Sequence, residues 1–411
     1  MDFFSWIRPL TESLDRRHKN LKWLNFSLFF RQLAARMTSF YLPLFLFQLA
    51  PRVELIQTIL PNKTQLQQGL VLVAAFFFIE RLTVMLASIP AAQLTAAIGH
   101  ARAFVIGDLI FALLVLMMAQ VESCSQLLLP AAILGGLKIN FFWQSYRTLV
   151  DRVGGGERVG KNVGIKRILD NVVAMLSPAV GGLIIQTLNY SFLFYLGLIF
   201  LLIAVIGHLN LELRQELDEV NWREYFSWLK ERAFKQLFLS QAGKMFNSLA
   251  LMLWPLYIYL LMGDVTKVGV IYSVSLLISI IINYLLGDRL DKDKNNKKPY
   301  FLSGGVLSLL TIFKIWALEV WHVVVVDSLD RMIGNFHWLV YDKIIMARGV
   351  GSQDFSYFVY RMINQAIASF VFWGLFLIFF LLVPLGWKGV FVVGSVGALL
   401  SLLAQETKDQ L

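Results

Sequence analysis

The sequence predicts an all-α polytopic membrane protein, with twelve transmembrane helices in two pseudo-symmetric six-helix bundles. Of its 411 residues, 57% are hydrophobic and only 16% are charged, whereas about a quarter of a soluble chain is charged. Many apolar segments exceed the roughly 20 residues that cross a bilayer as a helix. The pattern N-F-x-W-x-x-Y occurs at 140–146 and again at 335–341, which indicates that one helical unit is present twice.

Twelve apolar segments are predicted to span the membrane, each as a helix because lipid cannot satisfy open backbone groups. They lie near residues 22–49, 67–97, 103–121, 127–149, 164–187, 190–209, 236–262, 267–286, 299–318, 321–344, 355–382 and 386–404. Lys and Arg concentrate at both termini and in the loops after the even-numbered spans. The other loops contain Arg52, Lys63, Lys267 and Lys388. By the positive-inside rule, both termini are predicted to be cytoplasmic, with the chain in the plasma or inner membrane.

A polar segment after span six divides the chain into two units. Residues 211–235 mix both signs of charge, and their apolar residues recur at three- and four-residue steps. These apolar positions are Trp222, Phe226, Leu229 and Ala233. The pattern predicts a cytoplasmic amphipathic linker helix on the membrane surface, between an N-terminal bundle at 1–210 and a C-terminal bundle at 236–411.

Further internal repeats support the duplication. The segment L-P-L-F-L-F at 42–47 in span one matches W-P-L-Y-I-Y at 254–259 in span seven. Residues 167–171 in span five resemble 361–365 in span eleven. Spans one, four and five therefore correspond to seven, ten and eleven, as expected for parallel repeats related by an axis normal to the membrane.

These features resemble the major facilitator superfamily of secondary transporters. The loop L-G-D-R-L-D-K at 286–292 is similar to the family's signature G-x-L-A-D-R-x-G-R-K, with Asp288 and Arg289 on signature positions. The resemblance implies that these two residues help to hold an inner gate closed, the carboxylate by capping a helix N-terminus. In the corresponding loop after span two, Ala96 stands where the family has Asp.

Span five contains S-P-A-V-G-G at 177–182, which is similar to the G-P-x-x-G-G motif of antiporters in that family. Two interpretations are open. The segment marks an exporter, or its small residues only allow neighbouring helices to approach closely.

Polar residues form stripes along spans one, four, seven and ten, the helices that line the central cavity in the resembled family. Intramembrane polar residues are costly and usually mark function. The predicted solute contacts are Arg36, Asn140, Trp143, Lys244, Arg331, Asn335 and Trp338. Guanidinium groups suit a carboxylate or phosphate, and Trp faces suit an apolar or cationic group. The alternative is that the charged residues pair between helices.

Buried carboxylates are candidates for binding a coupling proton, because burial disfavours their charged form. The candidates are Glu80, Asp327 and Asp330. An ion pair with Arg81 explains Glu80 equally well. Lys138 lies about 160° around span four from Asn140, so it is expected to contact another helix.

Two residues close to the inner surface are predicted to form a gate. Arg147 and Asp342 each follow the last Tyr of the repeated pattern and have opposite charges, which suits a pair that closes the inner side. His337, in span ten, is expected to be a hydrogen-bonded packing residue rather than a proton relay.

The predicted function is secondary active transport of a small organic solute, amphipathic or anionic, by alternating access, with proton-coupled export as one mode. Because Ala96 stands where the family signature has Asp, a receptor or scaffold without transport is the alternative function. A membrane-embedded transferase is less favoured, because no nucleophile or metal motif is present. No cofactor and no metal are expected. The positive-inside rule explains the net charge of +10, so the expected partners are a solute and the bilayer rather than nucleic acid, and a monomer is expected.

Overall fold

The computed structural model describes residues 4–153, 159–211, 220–290, 297–347, 354–383 and 388–404. Side chains are described for 19–20, 22–146, 171–211, 220–281, 298–345, 355–383 and 388–404. Within these ranges the secondary structure is entirely helical, with no β-strand. The α-helices there are α1 (Phe4–Leu49), α2 (Glu54–Ile59), α3 (Gln65–Ile98), α4 (His100–Gln120), α5 (Leu128–Val153), α6 (Val159–Thr187), α7 (Tyr190–Leu209), α8 (Trp222–Trp228), α9 (Arg232–Met252), α10 (Trp254–Met262), α11 (Val265–Leu290), α12 (Lys297–Phe313), α13 (Val320–Ala347), α14 (Asp354–Leu382) and α15 (Gly389–Ser401).

Helical residues lie at each of the twelve predicted spans, with α9 and α10 together covering span seven and with α2 and α8 outside the spans. In the described part of the chain, eight helical segments are long and apolar enough to cross a membrane, and shorter apolar helices cover 171–187, 265–281 and 389–401. The remaining predicted span lies in α13, whose acidic and basic residues lower its hydropathy. The all-helical membrane fold is confirmed, and the exact number of crossings stays a prediction.

Helix pairing follows one pattern in two sets of helices, the N-terminal set α1–α7 and the C-terminal set α9–α15. In the first set, α1 packs on α6 and α7, α4 packs on α5 and α7, and α3 packs on α5. In the second set, α9 packs on α14 and α15, α12 packs on α13 and α15, and α11 packs on α13. The sets meet where α3 packs on α14 and α6 on α11. Each contact has its counterpart, so a pseudo-two-fold axis relates the sets. The residue boundaries predicted for the bundles stay predictions.

The largest apolar cluster joins both sets at the predicted outer end. Phe45 packs on Phe194 with ring centroids 5.2 Å apart, and Phe77 of α3 stacks on Trp373 of α14 at 5.2 Å. Burial of large aromatic rings stabilises such packing by more than their area alone. The outer ends are therefore closed by apolar side chains, and the polar side chains lie deeper in the helices.

Two glycines allow α9 and α15 to pack closely. A Cβ atom on Gly397 would lie 2.6 Å from the carbonyl oxygen of Gly243 and 2.8 Å from the backbone nitrogen of Asn247. These are backbone atoms, so the helices themselves must move apart to make room. Close approach at small residues is the usual means of helix association in membranes.

We expect Gly397→Ala to destabilise the protein by about 1–3 kcal/mol, because it overpacks this crossing. Gly305→Ala is the matched control, because no atom lies within 4 Å of a Cβ at that helical position. Thermal unfolding of the purified variants measures the difference. Equal melting temperatures for the two variants would contradict the packing described here.

The linker differs from the predicted continuous helix over 211–235. Among its described residues, α8 is a short helix, and a turn separates it from α9. The side chain of Asn221 caps α8 by accepting a hydrogen bond from the Glu224 backbone N–H at 2.9 Å. On the predicted apolar face Phe226 is 56% exposed, whereas Tyr225, outside that face, is 1% exposed, and the location of the linker on the membrane surface stays a prediction.

Polar partners on α14 explain which face of α8 is buried. The Tyr225 hydroxyl donates to Oδ1 of Asn364 at 2.9 Å, and the Tyr360 hydroxyl donates to Oε2 of Glu224 at 2.7 Å. Burial raises the pKa of Tyr225 to about 12, so this hydroxyl stays a donor at physiological pH. The linker therefore docks on the C-terminal set through side chains that apolar periodicity does not reveal.

Candidate functional site

A cavity of about 150 Å³ lies within the C-terminal set, among α9, α10, α11, α12 and α13. Its polar and aromatic lining comprises Trp254, Tyr272, Asp327, Asp330, Arg331, Asn335 and Trp338. Three of the predicted solute contacts and two of the predicted proton candidates are therefore in one place. A cavity with aromatic walls and a few polar groups is typical of a small-molecule site.

Ion pairs organise the charges around this cavity. Nε of Arg331 donates to Oδ2 of Asp327 at 2.8 Å, and the guanidinium lies 3.7 Å from the centre of the Tyr272 ring. Lys314, in the short 3-10 helix directly after α12, places Nζ 3.4 Å from Oδ2 of Asp330 and 3.6 Å from Oδ1 of Asp327. Arg331 and Asp327 therefore form an ion pair, as the alternative interpretation expected, but the two residues lie on one helix rather than on two. Lys314 was not predicted, although a lone lysine inside an apolar span was a usable signal.

Asp330 differs from the other acidic candidates. Its Oδ1 atom is buried without a hydrogen-bond partner among the described residues, as is Oε1 of Glu80, but of these two residues Asp330 alone lines the cavity. Both oxygens of Asp327 have a cationic neighbour. Oε1 of Glu80 lies 3.0 Å from the guanidinium of Arg81, in agreement with the ion-pair interpretation. A buried carboxylate oxygen without a donor is suited to accept a proton.

Arg36 is exposed on α1 and is not among the residues that line the cavity. One turn further along α1, the Phe40 ring lies 4.5 Å from that of Tyr272, which lines the cavity. Residues four apart share a helix face, so Arg36 points toward the C-terminal set. No hydrogen bond or ion pair joins Arg36 to another described residue. Trp143 is 40% exposed, on α5.

The repeated asparagines have different environments. Asn140 is completely buried; its Nδ2 donates to the carbonyl oxygen of Val84 at 3.2 Å, and its Oδ1 accepts from the Ser88 hydroxyl at 3.1 Å. It therefore fastens α5 to α3, and the structure gives no support to the prediction that it contacts the solute. Asn335 is exposed and lines the cavity.

We expect Asn140→Ala and Asn335→Ala to separate stability from transport. The first variant removes the two hydrogen bonds that join α5 to α3 at this point, so it should lose about 1–3 kcal/mol of stability. The second should retain the wild-type melting temperature and lose most solute flux. Thermal unfolding and proteoliposome flux of both variants measure this; a stability loss at Asn335 with normal flux would reverse the assignment.

Near the inner surface, Asp342 pairs with two cations of its own set. Nζ of Lys244 lies 2.6 Å from Oδ1 of Asp342, and Arg361 approaches the same oxygen at 3.4 Å. Lys244 also lies 5.4 Å from the centre of the Trp338 ring. The predicted gate partner Arg147 has a side chain outside the described residues, as do Asp288 and Arg289, so these gating roles stay predictions.

His337 is a packing residue, as expected. Its Nδ1 lies 3.0 Å from the Ser303 hydroxyl, and its Nε2 lies 2.8 Å from the Ser401 hydroxyl. The ring stacks on Tyr300 at 4.8 Å. Both nitrogens are therefore occupied in linking α13 to α12 and α15.

An unpredicted charged cluster lies inside the N-terminal set. Nε of Arg31 donates to Oδ1 of Asp108 at 2.8 Å, and Nδ1 of His208 lies 2.7 Å from the other oxygen of Asp108. The Arg31 guanidinium also lies 3.1 Å from the centre of the Phe142 ring. The cluster joins α1, α4, α5 and α7. The charged residues were visible in the sequence, but partners on four helices were not.

Comparison with known proteins agrees with this architecture. The family model described as Major Facilitator Superfamily matches residues 24–352, and no curated protein matches the sequence. The human organic anion transporter MFSD10 (TETRAN) has a similar structure, with a TM-score of 0.63 and 13% identity over 95% of this chain and 99% of that chain. The E. coli fucose:proton symporter FucP has a TM-score of 0.59 and 13% identity over 93% of this chain and 96% of that chain. At such identities the likeness shows the fold, and the family match covers most of the sequence. The chain therefore belongs to the major facilitator superfamily of transporters.

Proposed function

We propose that the protein moves a small organic solute with an anionic group across the membrane by alternating access, coupled to protons and in the direction of export. The two helix sets rock about the central site and open it to each side in turn. The protein acts as a monomer in the plasma or inner membrane, with both termini in the cytoplasm.

The proposal that the solute carries an anionic group rests on the environment of Arg36. A guanidinium inside a membrane protein is costly unless it is paired. Arg31 has Asp108 and Arg331 has Asp327, whereas Arg36 is exposed and has no acidic partner among the described residues. A carboxylate, sulfate or phosphate group of the solute supplies that partner. The organic anion transporter with a similar structure supports the same solute class.

The aromatic walls of the cavity favour a solute with an apolar or aromatic body. Trp254, Tyr272 and Trp338 line it, and Asn335 adds a hydrogen-bonding group. Such a lining binds the apolar part of a solute by burying its surface, and a few polar contacts fix its orientation.

Asp330 is the proposed proton site, because its free carboxylate oxygen lines the same cavity. FucP, with a similar structure, is described as a proton symporter, which supports coupling to protons but not its direction. The proposed direction of export rests on the segment 177–182, which is similar to the antiporter motif G-P-x-x-G-G. In the structure this segment packs on α11, where the Thr266 hydroxyl donates to the carbonyl oxygen of Gly182 at 3.2 Å. This contact is the close helix approach that the packing interpretation expects, and comparison of influx with efflux of labelled phenyl sulfate in the same vesicles tests export.

Flux into proteoliposomes containing the purified protein tests the proposal. The probes are the anions phenyl sulfate and phenyl phosphate, the cation phenyltrimethylammonium and a neutral phenyl glucoside. We expect saturable flux of the anions, accelerated when protons flow in the opposite direction. Anion flux no faster than in empty liposomes would exclude the function, whereas anion flux that ignores the pH gradient would exclude only the coupling.

A further inference from the structure

The predicted outer end of α14 has backbone carbonyl groups that its own helix does not satisfy. In a continuing helix the carbonyl oxygen of Phe380 would accept a hydrogen bond from residue 384, but Pro384 has no backbone N–H. The corresponding partner of Leu381 is residue 385, which lies beyond the end of α14 at Leu382. A buried carbonyl group without a donor costs free energy. Both carbonyl groups therefore need a donor from another part of the protein.

Gln67 of the N-terminal set supplies this donor across the interface between the two sets. It lies in the first turn of α3, which begins at Gln65. Its Nε2 donates to the carbonyl oxygen of Phe380 at 2.9 Å and to that of Leu381 at 3.0 Å. Gln67 is only 2% exposed, so bulk water does not replace these bonds in this structure. One amide group of the N-terminal set thus caps the last turn of a helix in the C-terminal set.

Aromatic contacts continue the same interface toward the middle of the membrane. Beyond the stack of Phe77 on Trp373, the Phe78 ring lies 4.5 Å from the Phe370 ring. Apolar contacts are non-directional, so they tolerate small movements of α3 along α14. Hydrogen bonds weaken steeply when distance and angle change. The two bonds of Gln67 therefore distinguish the fully closed outer end from one that has begun to open.

The pseudo-symmetric interface contains a similar contact. There α11 packs on α6, as α3 packs on α14. Thr266 lies in the first turn of α11 and donates to the carbonyl oxygen of Gly182 in α6 at 3.2 Å. In both interfaces a side chain at the outer start of one helix binds a backbone carbonyl of the other set. Gln67 is the more buried of the two donors.

We propose that Gln67 is a latch on the outer side, a contact that is made when this side is closed and broken when it opens. The inference rests on the proposed alternating access, but it does not depend on which solute is moved. Without the amide, the closed state buries two unsatisfied carbonyl groups, whereas water supplies donors to them in the open state. The cost falls on the closed state alone, so removal of the amide shifts the population toward the open state.

A distance measured between two spin labels in the reconstituted protein, without solute, tests the latch. Cys124 is the only cysteine of the chain, so labels are attached to Lys63→Cys and Leu318→Cys in a Cys124→Ser background. Both label positions are exposed, and they lie at the predicted outer ends of the two sets. We expect Gln67→Leu to raise the ratio of the long, open distance to the short, closed distance by about 10-fold, which corresponds to about 1.4 kcal/mol.

Gln68→Leu is the matched control. Gln68 is also buried, at 6% exposure, but its Nε2 donates to the carbonyl oxygen of Leu60 at 2.9 Å, within the N-terminal set. This variant should lose stability and keep the wild-type ratio of distances. Gln67→Glu is the second test variant, because it keeps the shape of the side chain and removes the amide donors. It should raise the ratio as Gln67→Leu does.

The outcomes separate the latch from the function on which it rests. A wild-type ratio in folded Gln67→Leu overturns the latch, and so does an equal rise in Gln68→Leu. If Gln67→Leu does not fold, Gln67→Glu decides in the same way. A single distance in every variant overturns both the latch and the rocking of the two sets. Anion flux in proteoliposomes is measured without labels, so it tests the proposed solute separately.

Discussion

Replacement of Arg36 by alanine is expected to reduce organic anion flux by about 100-fold or more, with no loss of stability. Truncating one partner of a buried, hydrogen-bonded charge pair costs about 2–5 kcal/mol, and about 3 kcal/mol, within that range, corresponds to somewhat more than 100-fold. The partner in this pair is the solute, because Arg36 has no acidic neighbour among the described residues. Its removal therefore leaves no protein charge uncompensated. Uptake of labelled phenyl sulfate and phenyl phosphate, with thermal unfolding in parallel, measures both parts.

Arg31→Ala provides the contrasting result on the same helix. It would leave Asp108 buried without its guanidinium partner at 2.8 Å, so we expect a stability loss of about 3–5 kcal/mol. Arg52→Ala is the control for charge alone, because this residue is exposed and its ion pair with Glu122 is long, at 3.7 Å. Wild-type flux in a folded Arg36→Ala protein would remove the proposed anion site.

Asp330→Asn is expected to uncouple transport from the proton gradient. The substitution keeps the size of the side chain and removes the carboxylate that lines the cavity, so no proton can be bound and released there. Exchange of labelled for unlabelled phenyl sulfate should persist. The acceleration of flux by an opposing pH gradient should fall to about one-fold, because the titrating carboxylate is the group that links proton movement to solute movement. Flux with and without the gradient, in the same vesicle preparation, measures this ratio.

Asp327→Asn is the matched control for Asp330. Asp327 holds Arg331 at 2.8 Å and neighbours Lys314 at 3.6 Å, so its neutralisation breaks a buried pair and should cost about 3–5 kcal/mol of stability. If Asp330→Asn keeps full acceleration by the gradient, Asp330 is not the proton site. Glu80→Gln would then be the next variant to measure.

The membrane fold was predictable because lipid leaves few alternatives. A long apolar segment in a bilayer must be helical to satisfy its backbone, so composition and segment length predict the helices directly. The repeats at 42–47 and 254–259 also predicted corresponding helices, and the pairing of α1 with α7 recurs as that of α9 with α15. The linker was less predictable, since Tyr225 is buried by polar partners on α14 rather than by an apolar stripe.

The site was predictable only in part. The stripe on span ten indicated Asp327, Asp330, Arg331 and Asn335, which line one cavity. The same reasoning on span four gains no support for Asn140, which is hydrogen-bonded to Ser88 of α3. Helical periodicity gives the angle between residues of one helix, but not the direction in which the helix is turned. Lys314 and His208 were missed for a related reason, because their acidic partners lie on other helices.

The sequence by itself determined that the chain is a helical membrane protein with a duplicated design, because hydropathy and residue spacing are properties of single segments. Only the tertiary structure decided what the duplicated residues do. Asn140 and Asn335 occupy the same position of one pattern, yet one is buried in a helix contact and the other lines a cavity. Phe142 supports Arg31, while His337 at the equivalent position links two serines. The physical reason is that the role of a side chain depends on the helix it meets, and packing rather than local pattern brings those helices together.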